Sequence, residues 1–128
     1  MGIVTVGSHN TFYGPRETSI LRYRKMHPDI LCLQEGPAVA DQDFVNEIAK
    51  KIGSNYRGVY NSSARLNLRG FVCDALCVIY NTATLELVSE PKQVALPQVH
   101  NVPRWQQLAW TGGVSPVRAA QVLEFRHE

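Results

Sequence analysis

Asn10 and Glu35 are the two residues of this sequence whose types and positions best suit the binding of a cation. Asn10 follows the predicted strand GIVTVGSH, and Glu35 ends the apolar run that begins DILCLQ. An amide oxygen beside a carboxylate forms a pair of hard oxygen ligands of the kind that Mg²⁺ prefers. Taken singly, an asparagine after a strand is most often a turn former, and a glutamate at a strand end is most often solvated.

The elements around these two residues predict that they lie close together. Pro15 suits a first helical turn, and Pro28 ends that helix because the residue before a proline avoids helical conformation. Strand, helix and strand in this order form a βαβ unit with parallel strands. Parallel strands end at the same sheet edge, where ligands bind in open α/β sheets. We therefore expect Asn10 and Glu35 at one edge, with His9 pointing the other way as a packed or solvent-facing side chain.

The rest of the chain predicts one more helix and then a series of strands. Asp41 can cap a helix whose apolar residues recur at helical spacing, and Gly53 can end it. The stretch 91–104 contains three prolines and is predicted to be a long loop. This order of elements indicates a layered α/β domain. The predicted strands are NYRGVY, CDALCVIY, LELVSE, WQQLAW and VRAAQVLEF.

Length and composition fit one globular domain with a real core. The chain has 128 residues, of which 45% are hydrophobic and 19% are charged. No apolar run approaches the roughly 18 residues that span a bilayer, and the N-terminus lacks the pattern of a secretory signal. We expect an intracellular protein, cytoplasmic or nuclear, without a membrane partner. The three cysteines indicate reduced, buried thiols, and the Cys73/Cys77 pair lacks the second pair that a zinc site needs.

A basic segment, YRGVYNSSARLNLRG, contains Arg57, Arg65 and Arg69 and no acidic residue. A loop of this kind can contact phosphate groups. The alternative interpretation is a solvated basic loop without a ligand. The formal net charge of +2 is too small to indicate a nucleic-acid partner by itself.

Two motifs resemble the endonuclease/exonuclease/phosphatase superfamily, whose fold is that of deoxyribonuclease I. These are VGSHN near the start and PDILCLQEG around Glu35. In addition, GFVCDALCVIY is similar to the family's central strand, and VRAAQVLEF is similar to the strand that precedes the family's catalytic second half. The resemblance extends over residues 1–128 but only over the N-terminal part of that domain. It implies an α/β fold, a layered β-sandwich flanked by helices, of which this chain supplies roughly one half.

The resemblance also implies a Mg²⁺-dependent phosphodiester hydrolase, with Mn²⁺ as an alternative ion. Glu35 matches the metal-binding glutamate of the family, and Asn10 matches its metal-site asparagine, so both are expected to be catalytic. Arg65 and Arg69 are candidates for contacts with the substrate backbone. The expected substrate is nucleic acid, either RNA or DNA, or another phosphoester such as an inositol phosphate.

The sequence departs from the family in the second half of the active site. The family uses a C-terminal aspartate–histidine pair, whereas no aspartate follows Asp74, and so His100 and His127 lack such a partner. We therefore expect these 128 residues to be inactive alone. A missing C-terminal half, a second polypeptide or self-association would complete the domain and cover its exposed sheet face. Two alternatives stay open: a non-catalytic interaction or scaffold protein derived from half of this fold, and an unrelated α/β domain.

Overall fold

The computed structural model describes residues 2–11, 15–36, 41–62, 75–95 and 119–127. Within these ranges the chain has two helices and eight strands, which confirms a mixed α/β fold. Among them, no helix has the length and hydropathy that crossing a membrane requires. In chain order the elements are β1 (Val6–Asn10), α1 (Glu17–Met26), β2 (Ile30–Gly36), α2 (Gln42–Ile52), β3 (Tyr56–Ser62), β4 (Ala75–Asn81), β5 (Leu85–Leu87), β6 (Lys92–Ala95), β7 (Ala119–Val122) and β8 (Phe125–His127).

The main sheet has four strands in the order β1-β2-β4-β3. β1 and β2 run parallel with α1 between them in the chain, so the predicted βαβ unit is confirmed. β4 runs antiparallel to both of its neighbours. The parallel pair brings the ends of β1 and β2 to the same edge of the sheet.

Both helices begin and end close to the predicted positions. The Asp41 carboxylate accepts a hydrogen bond from the Phe44 N–H at 2.8 Å, and the Gly53 N–H donates to the Ala49 carbonyl at 3.1 Å. These bonds satisfy backbone groups that a helix end leaves without partners. α1 ends before Pro28 at His27, which adopts the left-handed conformation with φ 46°.

The hydrophobic core lies between the helices and one face of the main sheet. On the other face, the ring of Tyr80 in β4 packs against Phe125 in β8, with 5.0 Å between the ring centroids. β4 is therefore covered on both faces, as its continuous apolar sequence requires. The buried core residues are Ile20, Tyr23, Leu31, Leu33, Val45, Ile48, Ala49, Ile52, Tyr56, Cys77 and Ile79.

The four short strands form two antiparallel pairs, β5 with β8 and β6 with β7. The pairs follow one another along segments 85–95 and 119–127, and the Val88 N–H donates to the Glu124 carbonyl at 3.0 Å in the break between them. Two predictions were wrong here. The predicted strand VRAAQVLEF divides into β7 and β8, and the predicted loop at 91–104 contains β6. Both differences arise because each short strand is stabilised by a distant partner, which local sequence patterns do not reveal.

Asp29 fastens the segment before β1 to the sheet. Its carboxylate accepts hydrogen bonds from the Thr5 N–H at 2.8 Å, the Thr5 hydroxyl at 3.1 Å and the Thr84 hydroxyl at 2.7 Å. The backbone hydrogen bond from Thr5 contributes most to lowering the pKa of this carboxyl below its ordinary value, and the Thr84 hydroxyl adds to the effect. Hydrogen bonds that favour the charged form lower a carboxyl pKa in this way.

Replacing Asp29 by alanine should lower the free energy of unfolding by about 1–2 kcal/mol at pH 7. Hydrogen bonds to a charged group contribute about 1.5–3 kcal/mol when buried, and the partial exposure of Asp29 reduces that value. A carboxyl whose pKa is lowered by folding stabilises the native state above its unfolded pKa. The difference in the free energy of unfolding between wild type and variant should therefore be largest at neutral pH and should shrink as the pH falls below 3.8. Urea unfolding at pH 7 and at decreasing acid pH measures it; an unchanged difference in acid would contradict the assignment.

Candidate functional site

Asn10 and Glu35 lie at the same edge of the sheet, as predicted. Asn10 is paired in register with Gln34, and Glu35 is the next residue of β2. The backbone N–H of Thr11 and its hydroxyl each donate to the Gln34 carbonyl at 2.9 Å, which continues the pairing beyond the end of β1. The side chain of Asn10 is exposed. The parallel register thus brings an amide-bearing residue and a carboxylate-bearing residue to adjacent strand ends.

A bulge in β2 contains the candidate glutamate. The register between β2 and β4 shifts between Leu33 and Gly36. Two residues of β2, Gln34 and Glu35, therefore stand opposite one residue of β4. Such a bulge bends the strand and redirects side chains, and bulges are common beside active sites. The sequence pattern of an apolar strand gave no sign of this extra residue.

Gln34 holds the two strand ends together from within the sheet. Its side-chain Nε2 donates to the Ser8 hydroxyl and to the Cys32 carbonyl, each at 3.1 Å. Ser8 lies in β1 and Cys32 in β2. The Gln34 side chain therefore connects the two strands just before Asn10 and Glu35. Gln34 is a positioning residue for the edge that carries Asn10 and Glu35.

The donor set at this edge suits a partly hydrated hard cation better than a closed metal cage. Asn10 and Glu35 supply one amide and one carboxylate, and within the described part of the chain no three His, Cys, Asp or Glu side chains cluster as a metal site would need. Mg²⁺ usually takes one or two carboxylates, keeps several waters and binds substrate phosphate oxygens. These residue types therefore fit Mg²⁺, with Mn²⁺ as the related ion.

His9 points to the other side of the strand from Asn10, toward α1. Its ring nitrogen Nδ1 is hydrogen-bonded with the Tyr23 hydroxyl, and the two rings pack edge to face with centroids 5.8 Å apart. Burial raises the pKa of Tyr23, and the hydrogen bond with Ser19 lowers it in part. His9 was predicted to be a packed or solvent-facing side chain, and it is both in part, because its ring contacts Tyr23 while the residue as a whole is exposed.

The other predicted site residues contribute less to this edge. His127 lies exposed in β8, and a Cβ atom added at Gly2 would clash with its imidazole ring. Arg57 lies exposed in β3. Both remain without an assigned role. Arg65 and Arg69, the predicted substrate contacts, lie outside the described residues, as do Cys73 and His100.

The thiols that the structure describes have the predicted character. Cys77 is buried and Cys32 is half-buried, and both are free. Burial raises the pKa of both thiols, that of Cys77 to about 12. Both are therefore protonated at neutral pH, which suits packing and not nucleophilic chemistry.

Comparison with known proteins adds a structural likeness. No protein-family model matches the sequence, and no curated protein matches it. A solved protein of the endonuclease/exonuclease/phosphatase family from Bacteroides thetaiotaomicron superposes with a TM-score of 0.53 at 18% sequence identity. That alignment covers 98% of this chain and 44% of the other. The chain has an endonuclease/exonuclease/phosphatase-type fold. The resemblance inferred from VGSHN and PDILCLQEG is thereby confirmed at the level of the fold.

Two further solved structures have the same likeness. ANGEL2, a 2′,3′-cyclic phosphatase solved in complex with adenosine-2′,3′-vanadate, has a TM-score of 0.57 at 15% identity, over 94% of this chain and 29% of its own. A functionally unknown conserved protein from Enterococcus faecalis V583 has a TM-score of 0.60 at 12% identity, over 97% of this chain and 47% of its own. The chain thus spans less than half the length of each of these three proteins.

Proposed function

We propose that this chain forms the metal-binding part of a Mg²⁺-dependent phosphodiester hydrolase. The observation that carries the proposal is the parallel register of β1 and β2, which brings Asn10 and Glu35 to adjacent strand ends. A fold shared with a 2′,3′-cyclic phosphatase supports a phosphoester as the substrate. In this proposal the Glu35 carboxylate binds the metal, and the Asn10 amide binds the metal or orients the phosphate.

The residues around Asn10 and Glu35 would hold the two strand ends in a fixed arrangement. Thr11 and Gln34 keep the two strand ends in register through their hydrogen bonds. When bound, Mg²⁺ would polarise a phosphoryl oxygen and offset the negative charge that develops there. In-line attack also needs an activated water and further charge stabilisation. We propose that residues beyond these 128 supply both.

Two observations support the proposal that additional polypeptide is needed to complete the active site. The three solved proteins are each more than twice as long as the part that this chain matches. In addition, apolar side chains at the start of the chain are open to solvent, with Ile3 88% and Val6 65% exposed. Large apolar side chains grouped in this way usually mark a surface that another segment covers. We propose that the β5–β8 and β6–β7 pairs belong to the second sheet of a layered sandwich, a view supported by the Tyr80–Phe125 contact.

The substrate in this proposal is nucleic acid, RNA or DNA, ahead of a smaller phosphoester. The basic segment with Arg65 and Arg69 supports this choice, because arginine forks match phosphate groups in charge and geometry. That support comes from the sequence alone.

A metal titration tests the site without requiring catalysis. Mn²⁺ added to the isotope-labelled 128-residue chain should broaden the amide signals of residues 9–11 and 33–36 first, because paramagnetic broadening falls steeply with distance. Glu35→Gln should weaken Mn²⁺ binding at least about tenfold, since it replaces a charged ligand by a neutral one. Glu47→Gln is the matched control, because Glu47 is an exposed carboxylate on α2 that forms an ion pair with Lys50.

Equal Mn²⁺ affinity in wild type and Glu35→Gln would remove the basis of the proposal. Metal binding without Mg²⁺-dependent cleavage of short single-stranded RNA or abasic duplex DNA would support the site and place the missing groups elsewhere. Cleavage that survives in Glu35→Gln would indicate a contaminating enzyme. Protein or RNA binding with neither metal binding nor cleavage would favour the non-catalytic interaction protein.

A further inference from the structure

A groove of about 530 Å³ lies between the end of β1 and the face of α1. It opens beside the candidate metal edge, because His9 and Thr11, the two neighbours of Asn10, both line it. The sequence patterns of β1 and α1 did not predict this groove. The polar side chains that define it are Ser8, His9, Arg16, Thr18, Ser19 and Arg22.

The charge of the groove is positive. Arg16 and Arg22 line it, and among the residues that the structure describes no aspartate or glutamate does. Both arginines are exposed, and no ion pair joins either of them to a carboxylate in the described ranges. Glu17, the acidic residue nearest to Arg16, instead pairs with Lys51 of α2 at 3.0 Å. Two guanidinium groups therefore face this space with their charges unmatched by any described carboxylate.

Hydroxyl groups complete a surface that can hold an anion. The Tyr23 side chain is 5% exposed, and its hydroxyl is hydrogen-bonded with His9 and with Ser19. These bonds fix the groove wall without placing a carboxylate there. Thr18 adds an exposed hydroxyl one turn before Arg22. Arginine forks with neighbouring hydroxyl donors are the usual partners of phosphate oxygens.

We propose that this groove binds backbone phosphates of a single-stranded nucleic acid, next to the phosphodiester held at the Asn10–Glu35 edge. The inference deepens the proposed function and rests on it for the placement of the reacting phosphate. A strand that leaves this edge past His9 and Thr11 enters the groove directly. There Arg16, the residue that precedes α1, and Arg22, within α1, would meet successive parts of the backbone. The groove thus favours a polymer over a lone phosphate.

The test measures binding by the 128-residue chain with EDTA present, so that the metal site plays no part. The probe is a fluorescently labelled twelve-nucleotide oligouridylate, followed by anisotropy at several NaCl concentrations. Arg16→Gln/Arg22→Gln should weaken binding at least about tenfold. It should also reduce the slope of log K against log[salt] by about 1.4, at about 0.7 for each phosphate contact on a single strand.

Arg24→Gln/Lys25→Gln is the matched control. It also removes two positive charges, from exposed positions of α1 that are not among the residues lining the groove. Its affinity should stay within about twofold of wild type. Equal losses in the two double variants would show a net-charge effect and overturn the proposal, as would no loss in Arg16→Gln/Arg22→Gln.

Two further measurements distinguish nucleic-acid binding from phosphate binding, and the groove from the metal site. Inorganic phosphate that binds with the same arginine dependence, while the oligouridylate does not, would overturn the assignment to a nucleic-acid strand. Oligouridylate binding that depends on both arginines, in a chain that fails the Mn²⁺ titration, would uphold the groove and reject the proposed metal site. Amide spectra of each variant confirm that it folds.

Discussion

Replacing Gly58 by alanine should lower the free energy of unfolding by about 3 kcal/mol. A Cβ atom built on Gly58 would stand 2.1 Å from Cγ1 of Val45 in α2 and 3.2 Å from the Val45 carbonyl oxygen. Val45 is fully buried, so its side chain has no open space into which it can turn. Overpacking of this kind costs about 1–3 kcal/mol and sometimes more. It outweighs the roughly 0.4–1 kcal/mol by which alanine destabilises the unfolded chain.

The close packing of α2 on β3 also positions two hydrogen bonds, which would be strained if α2 moved away from the strand. The Gln42 side chain donates from Nε2 to the Gly58 carbonyl at 2.8 Å and accepts from the Tyr60 N–H at 3.1 Å. Gln42 thus pairs with the outer edge of β3 as a neighbouring strand would. A helix displaced by the new methyl group would strain both bonds, each worth about 1 kcal/mol.

Urea unfolding of the single variants and of Gly58→Ala/Val45→Ala tests this explanation. Truncating Val45 removes the atom that the new Cβ meets, so the double variant should be at least about 1 kcal/mol more stable than the sum of the single effects. Gly7→Ala is the control, because its Cβ would meet only the end of the Leu31 side chain, at 3.2 Å. Strictly additive losses in the double variant would contradict the proposed clash.

The elements that the sequence predicted well are those whose signals are local. Helix α2 is an example, because Asp41 caps it, Gly53 ends it and its apolar residues recur at helical spacing. The same segment also contains a contact that no local pattern shows. Gln42 is an ordinary polar residue of a first helical turn, and its hydrogen bonds to β3 depend on how closely α2 packs against the sheet.

The parts that escaped prediction depend on residues far apart in the chain. β6 directly follows Pro91 and is stabilised by β7, about 27 residues later. Its proline-rich surroundings predicted a loop because a proline lacks the N–H that a ladder needs. Likewise, the Asp29 carboxylate gains its partners from Thr5 and Thr84, on separate segments. Pairings over such distances follow from the tertiary fold and not from the residues beside them.

The candidate metal edge could be predicted because topology, and not side-chain detail, determines it. Once β1 and β2 are parallel, Asn10 and Glu35 must reach the same edge. The groove beside it could not be predicted in this way. Arg16 and Arg22 look like solvated helix residues in the sequence, and the structure shows that Glu17, the neighbour of Arg16 in the chain, pairs with Lys51.

Cys77 should react with iodoacetamide about 10³-fold more slowly in the folded chain than in the unfolded chain at pH 8. Burial raises the pKa of this thiol to about 12. The thiolate is the reacting form, and at pH 8 it would be roughly 10⁻⁴ of the native thiol, against about a quarter for an ordinary thiol of pKa near 8.5. Because the raised pKa lies far above neutrality, the native rate should keep rising about tenfold per pH unit from pH 7 to pH 10. An ordinary thiol would level off above pH 9.

Alkylation resolved by peptide mass spectrometry separates Cys77 from the other cysteines. The same reaction in guanidinium chloride gives the unfolded rate for each peptide. Cys32, which is half-buried, should be slowed less than Cys77. This difference follows from the two faces of the sheet, because Cys77 lies in the core beneath the helices whereas Cys32 does not. A native rate for Cys77 within tenfold of its unfolded rate would show that the helices do not close over β4, and the core that positions the Asn10–Glu35 edge would then need revision.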